Sequence, residues 1–422
     1  MGAIANLKGE KSYDIIDYAI TSVCNMTHRG AVDADMKTGD GSGVLCQIPR
    51  PLFAKAAAQF GYSGSADDLA VGVFFLPGND TAGSAQIKSF AEATLAKRNI
   101  PFLGWRTPPV NPEELGKLAQ DTQPEIVHLL ASKPADWDGD QFERQLYLVR
   151  REIEREFNEV SDFYIPTLSG RLISYKGLAM PATLRAFYSD LQDSDFQTGI
   201  SLYHQRFSTN TFPAWPLGQP FRMMCHNGEI NTVRGNRNWM TSREEFFESE
   251  IWGDDIELIK NLMREGESDS SSLDHALELL ILSGRPIEQA MCMLVPPAFR
   301  HDHEISESVR GFYNYIRSFS EPWDGPAGLV FTDGIKICAG LDRNGLRPSR
   351  YTLTEDGLLY IGSESGAVVL PDAKIIRRGR LGPGQMMSGT PRLVSFITTK
   401  KSKKPSPPRN PTLSGLMKTA SS

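Results

Sequence analysis

The chain reads as an α+β protein, and three observations predict it. Residues 12–24 carry Ile15, Ile16, Ala19, Ile20 and Val23 on one helical face, and residues 141–155 read as a second helix. Short apolar runs at 44–48, 71–76 and 163–168 have the length and composition of strands. In the last third, segments joined by glycine turns, such as 331–334 and 341–351, read as further strands. With 422 residues and 40% hydrophobic content, the chain can bury one large core or two modest ones.

Taken in order, residues 1–9 (MGAIANLKG) read as a short strand ending in a turn, ahead of the 12–24 helix. His28-Arg29-Gly30 follows, and then the run Thr38-Gly39-Asp40-Gly41-Ser42-Gly43 opens the 44–48 strand. Such a glycine run suggests a phosphate cradle only when Lys-Ser/Thr and a helix follow, and neither does. Residues 51–141 alternate helical and strand-like stretches. Tyr175-Lys176-Gly177 reads as a strand end.

Past the middle of the chain, residues 256–263 read as a helix and residues 273–282 as another. Ser271 and Asp274 of the second have the spacing of a capping box. His301-Asp302-His303 lacks further ligands nearby and reads as a charged surface loop rather than a metal site.

Charge and cysteine usage exclude several classes. The net charge of −6 conceals an asymmetry: from Ala373 onward there are eleven Lys/Arg and no Asp/Glu. The first 372 residues therefore hold 34 basic against 51 acidic groups, a net of −17. An acidic body argues against nucleic-acid binding. No run is long and apolar enough for a membrane span, and no secretory signal is read. The five cysteines (Cys24, Cys46, Cys225, Cys292, Cys338) are scattered and odd in number. They form no disulfide framework or metal motif, and a reducing cytoplasm suits them.

Chemistry concentrates in residues 204–240. Arg206, Asn210, His226, Asn227, Asn231, Arg234, Asn236 and Arg237 are costly to bury, yet they interleave with Phe207, Phe212, Trp215, Phe221 and Trp239. That mixture describes the wall of a pocket for a small polar ligand. In His226-Asn227-Gly228-Glu229, the Asn227 side-chain N–H and the Gly228 N–H can aim at one point, as an oxyanion hole requires. The competing reading of Asn-Gly is a type I′ hairpin turn. Arg206 offers a planar fork for a carboxylate, and the Thr209 hydroxyl is a further donor close in sequence.

The words RFSTN, TFPxWPLxQPFR and HNGEINTxRGNRNWM resemble the class II glutamine amidotransferase domain at the N-terminus of the glutamate synthase large subunit. EPWDGP (321–326) and LDRNGLRP (341–348) extend the likeness. Those two segments, with the long insertion over 53–177, set it apart from phosphoribosylamine- and asparagine-forming relatives.

The resemblance implies the four-layer αββα sandwich of the N-terminal-nucleophile hydrolases, expected here over residues 1–387. It also implies hydrolysis of L-glutamine to glutamate and ammonia. Arg206 and Thr209 are expected to hold the substrate carboxylate and Asp269 the α-ammonium. Asn227 and Gly228 would form the oxyanion hole, with Arg29 and Gly30 shaping the site. On its own, Asp269 is also readable as an acid favouring a helix N-terminus.

Ammonia is expected to pass to 2-oxoglutarate in a synthase domain that uses FMN and an iron–sulfur cluster and an electron-donating subunit. No cofactor is expected in this chain itself.

Two departures from the family pattern stand out. Family members begin Cys-Gly-Val-Gly, and that Cys, as residue one, uses its thiol as nucleophile and its own α-amine as base. Here Met1 falls where Val is expected, and the Cys-Gly pair is expected just upstream of a misassigned start. The alternative is a catalytically dead module that binds glutamine without cleaving it. Residues 388–422, rich in Lys, Pro, Ser and Thr, are expected as a disordered basic tail produced by a frameshift or truncation, with a cationic docking tail as the alternative.

Overall fold

The computed structural model describes residues 1–30, 37–206, 214–264, 266–300, 305–390, 393–397 and 417–419. Helix and sheet are mixed throughout, the α+β class expected. Contacts divide the chain into two compact units: Met1–Lys11, Met223–Phe246 and Asn261–Ser422 in one, Ser12–Arg222 and Phe247–Lys260 in the other.

In the unit that contains Met1, one sheet runs from an edge strand Met224–Gly228 through Ala327–Thr332, Ile337–Leu341 and Met386–Thr390 to Leu393–Ile397, antiparallel at each step. The short strand Met417–Thr419 adds in parallel beyond it. A second set of strands runs Gly2–Asn6, Leu358–Gly362, Arg350–Thr354 and Ile375–Arg380, again antiparallel. Every residue of Ala327–Thr332 and Ile337–Leu341 is buried, so both faces of these strands are covered. On one side, Leu7 and Leu359 approach Gly389.

The helix Asp269–Leu282 is tied to the edge strand by its Asp274 carboxylate, which accepts the Met223 and Met224 N–H groups at 2.8 and 3.1 Å. Three details differ from the sequence reading here. The cap of this helix is Ser268, whose hydroxyl accepts the Ser271 N–H at 3.1 Å. Ser271 thus stands three residues inside the cap, and Asp274 serves a tertiary contact instead of a capping box. The helix read over 256–263 stops at Ile259, because Lys260 turns extended and Asn261 takes a positive φ. The Glu244 carboxylate collects the Asn261 and Leu262 N–H groups at that break. Finally, the strand Met386–Thr390 runs through the boundary expected at 387/388: Ser388 is buried and donates to Glu288 at 2.7 Å. Composition changes at that point, but strand pairing continues.

In the other unit, Ile200–Gln205, Thr38–Gln47 and Leu172–Ala179 form one antiparallel group. The glycine run at 38–43 lies inside the second of these strands rather than in a loop. Phe102–Arg106, Glu125–Ser132, Leu69–Leu76 and Tyr164–Ser169 form another group. Phe74, Leu129 and Ile165 of these strands share a core with Ile87 of helix Thr81–Lys97 and Leu146 and Val149 of helix Gly139–Glu156. The helix Tyr13–Asn25 buries the five apolar residues its spacing marks.

A buried ion cluster sits in this unit. Arg106 grips both oxygens of Asp190 at 2.6 and 2.7 Å, Tyr175 donates to Asp190 at 2.8 Å, and His128 Nδ1 lies 3.1 Å from Arg106. Burial and the neighbouring Arg106 charge lower the His128 pKa to about 3. A histidine whose folded pKa lies below its unfolded value stabilises the fold above the unfolded pKa. That stability is lost as the pH falls from about 6.5 toward 3. We therefore expect His128→Gln, which keeps an acceptor for Arg106 but cannot titrate, to flatten the stability profile across that window. The change should approach one proton, roughly 1.4 kcal/mol per pH unit, in denaturation measured from pH 3 to 7. An unchanged slope would contradict the assignment.

Candidate active site

The strand Met224–Gly228 rises out of the core along its length. Met224, Cys225 and His226 are buried, whereas Asn227 and Gly228 are partly exposed. The Asn-Gly pair is not a hairpin turn: Asn227 lies opposite Gly328 and Gly228 opposite Ala327 in the ladder. Beyond it two backbone segments cross closely. A Cβ on Gly228 (φ +138°) would stand 1.7 Å from the Pro326 carbonyl oxygen, and one on Gly325 (φ +158°) would stand 1.9 Å from the Glu229 carbonyl oxygen. Only glycine fits at either position. The Glu229 N–H donates to Pro326 O at 3.2 Å across this crossing. The Asn227 side-chain amide makes no hydrogen bond among the described residues, so its N–H groups remain available.

Asp269 is brought against the same turn. Its Oδ2 accepts the Ile230 N–H at 2.8 Å, and its Oδ1 accepts the Ser270 N–H at 2.7 Å and the Ser270 hydroxyl at 3.2 Å. His226 Nδ1 lies 2.7 Å from Ser270 Oγ, so the strand that carries Asn227 and the helix end that carries Asp269 share one hydrogen-bonded link. Burial lowers the His226 pKa, the charge of Asp269 opposes this, and Arg347 adds to it. From the helix Val233–Glu244, Arg237 reaches the Glu267 and Ser268 carbonyls and Ser272 Oγ, fixing the loop that leads into Asp269.

Two segments without an assigned place in sequence also converge here. In LDRNGLRP, the buried Asp342 accepts the Ala327 N–H on Oδ1 at 3.1 Å and the Asn344 N–H on Oδ2 at 2.8 Å, while its own N–H donates to Ala327 O. It thereby holds the residue opposite Gly228. In EPWDGP, Asp324 pairs with Arg343, and its N–H donates to the Thr232 hydroxyl at 2.9 Å. Arg347 and the Met1 side chain flank Gly328, the residue opposite Asn227. The Met1 ammonium donates to Ser363 Oγ at 3.3 Å, and Ser363 N–H donates to Met1 O. Sequence spacing could not announce these contacts, since they join residues as much as 362 positions apart.

Arg206, Arg29 and Gly30 belong to the other unit. Arg206 ends the strand Ile200–Gln205 with φ +97°, a strained value for a residue with a side chain, and its N–H donates to Gly41 O at 2.8 Å. Its Nε lies 3.3 Å from Asp40, and with a side chain 44% exposed the guanidinium fork remains open to a ligand. Gln205 Nε2 donates to Thr27 O and fills the space where a Gly30 side chain would stand, which brings the His28-Arg29-Gly30 segment beside Arg206. Arg29 is exposed at the end of the short helix Thr27–Arg29.

Some readings need correction or a change of place. Trp239 is no pocket wall: it is 54% exposed and stacks on Arg243, whereas Trp215 and Phe221 are buried. Lys176 is not at a strand end but inside Leu172–Ala179. There it is almost wholly buried, donates to Pro216 O and Gly218 O at 2.8 Å, and lies over the Tyr164 and Phe221 rings. It anchors the 215–221 segment from inside the protein. Thr209, Phe207, Asn210, Phe212 and His301-Asp302-His303 lie outside the described residues.

Known proteins carry the same sequence pattern. The family model "Glutamine amidotransferases class-II" matches residues 1–400. The chain is 41% identical over 390 residues to the glutamate synthase [NADPH] large chain of Azospirillum brasilense, covering 92% of this chain and 26% of that one. It is 42% identical over 396 residues to the ferredoxin-dependent glutamate synthase of Pyropia yezoensis, with the same coverages. The large chain from Bacillus subtilis is 40% identical over 389 residues, again 92% and 26%. The chain thus spans about a quarter of the length of these relatives. Among solved structures, the glutamine phosphoribosylpyrophosphate amidotransferase of B. subtilis aligns with a TM-score of 0.33 and 10% identity, over 86% of this chain and 50% of that one.

Proposed function

The chain belongs to the class-II glutamine amidotransferases, a family with the αββα fold of the N-terminal-nucleophile hydrolases, and on that premise we propose that it forms the glutamine site of a glutamate synthase. In this reading it releases ammonia from L-glutamine for transfer to 2-oxoglutarate in a synthase region outside this chain. The observation that carries it is the Asn227–Gly228 pair: an available carboxamide beside a glycine locked in place by Pro326 and Ala327, with Asp269 held under the same turn. Arg206 and Thr209 take the substrate carboxylate and Asp269 its α-ammonium. Asn227 and Gly228 stabilise the oxyanion, and Arg29 and Gly30 help to shape the glutamine site. A thiolate adds to the carboxamide carbon, the C–N bond breaks with release of ammonia, and water then cleaves the thioester to glutamate.

The thiol is the part these residues do not supply. Burial raises the Cys24, Cys46, Cys292 and Cys338 pKa values, which keeps those thiols protonated and inert, and Cys225 is buried. None of the five carries an α-amine. Glutamine capture without cleavage is the second reading, in which none of these five thiols acts. In the glutamate synthase reading FMN and an iron–sulfur cluster serve the synthase region, together with the electron-donating subunit. Among the described residues no helix is long and apolar enough to cross a membrane. The free thiols suit the cytoplasm.

Titration calorimetry with L-glutamine tests the substrate assignment. Saturable binding is expected for L-glutamine and not for D-glutamine. Asp269→Asn and Arg206→Gln should each weaken it by about tenfold or more, the loss of a charged hydrogen bond worth about 1.5–3 kcal/mol. Binding that neither substitution alters would contradict the assigned roles.

A further inference from the structure

The strand Ile375–Arg380 lies at a sheet edge and pairs with Arg350–Thr354 so that Arg380 stands opposite Arg350 and Arg378 opposite Thr352. Residues opposite one another, and those two apart along a strand, share a face of the ribbon. Arg350, Arg378 and Arg380 therefore project from one face, alongside Tyr360, which is opposite Thr352 on the next strand. All three arginines are exposed. Arg378 pairs with Asp372. Arg350 and Arg380, by contrast, have no ion pair or side-chain hydrogen bond among the described residues.

Like charges directly opposite destabilise a strand pair, and neither Arg350 nor Arg380 has an ion pair among the described residues to offset that cost, since Asp372 is taken by Arg378. The same face lines a cavity of about 640 Å³ whose other walls include Tyr360, Val368 and Leu370. That is the size of a small-molecule site with an apolar wall and convergent polar groups. Asp372 is the one carboxylate among the lining residues, and it pairs with Arg378, so Arg350 and Arg380 face the cavity as cations on a protein whose first 372 residues carry a net of −17. An anion repelled by most of the surface is attracted here.

We propose that this cavity is a second ligand site, distinct from the glutamine site, that binds a small organic anion through a phosphate or carboxylate group. The guanidinium forks of Arg350 and Arg380 close on that group from opposing strands, and the ligand's apolar body rests against Val368 and Leu370. The inference does not depend on the function assigned above.

Calorimetric and thermal-shift titrations with sodium phosphate and with sodium succinate, each against sodium chloride at matched ionic strength, test it and separate the two anion chemistries. Saturable binding of phosphate or succinate and a rise in melting temperature beyond the chloride control are expected. Arg380→Gln and Arg350→Gln should each weaken that binding by about tenfold. Without added anion at low salt, both variants should melt no lower than the parent, because a repulsion has been removed. Three results would each overturn the proposal: no saturable binding of either anion, equal binding by the variants, or a shift that chloride reproduces.

Discussion

Gly228→Ala is expected to cost on the order of 3 kcal/mol or more and to abolish glutamine binding. Two independent penalties act at this position. The φ of +138° belongs to backbone that only glycine adopts readily, and the added methyl would meet the Pro326 carbonyl oxygen at 1.7 Å. That oxygen cannot swing aside, because it accepts the Glu229 N–H and because Ala327, the next residue, is held by Asp342 at both its N–H and its carbonyl. Relief must come by separating the turn from the 325–327 segment, which displaces Asn227 and the Ile230–Asp269 hydrogen bond together.

Gly235→Ala supplies the control. Gly235 lies inside the helix Val233–Glu244, and an added methyl there would have nothing within 4 Å. Alanine should therefore be neutral or stabilise by about 0.5–1 kcal/mol. The denaturant midpoint of Gly228→Ala should fall, whereas that of Gly235→Ala should hold or rise. Equal midpoints for Gly228→Ala and the parent would show that the crossing is not rigid.

The second large effect concerns Asn227. In protein given a Cys-Gly extension ahead of Met1, with the cysteine freed as its first residue, Asn227→Ala is expected to lower kcat by about 10²–10³. KM should change far less, because the side-chain amide is assigned to the oxyanion rather than to the bound substrate. Asn227 is well suited to such a test. Its carboxamide makes no structural hydrogen bond among the described residues, so its removal should leave the melting temperature nearly unchanged. A loss expressed mainly in KM would move Asn227 from transition-state stabilisation to substrate binding.

Local pattern made much of the fold legible. The five apolar residues of 12–24 fall on the buried face of Tyr13–Asn25, and the 141–155 stretch lies within Gly139–Glu156, because amphipathic spacing reports burial directly. Where the sequence reading failed, a long-range contact had overruled a local signal. Ser271 and Asp274 have capping-box spacing, yet Asp274 is recruited by backbone N–H groups some 50 residues away, leaving Ser268 to cap. Lys176 looked like a strand-end residue and is an internal anchor for carbonyls some 40 residues on.

The site shows the same division. Residue chemistry marked Asn227, Gly228 and Arg206 as candidates. No spacing rule could show that Asp342 of LDRNGLRP braces the residue opposite Gly228, or that His226 and Ser270 join the Asn227 strand to Asp269. The cluster of Arg106, His128, Tyr175 and Asp190 was invisible for the same reason, its members lying as far as 84 residues apart.

The most direct test of the central claim is ammonia release from L-glutamine by the protein extended with Cys-Gly ahead of Met1. Stoichiometric formation of glutamate and ammonia, absent when that cysteine is replaced by alanine and weakened by Asn227→Ala, is the predicted result. Tight L-glutamine binding with no ammonia released, despite a free N-terminal cysteine, would contradict it and leave this chain a glutamine-binding module.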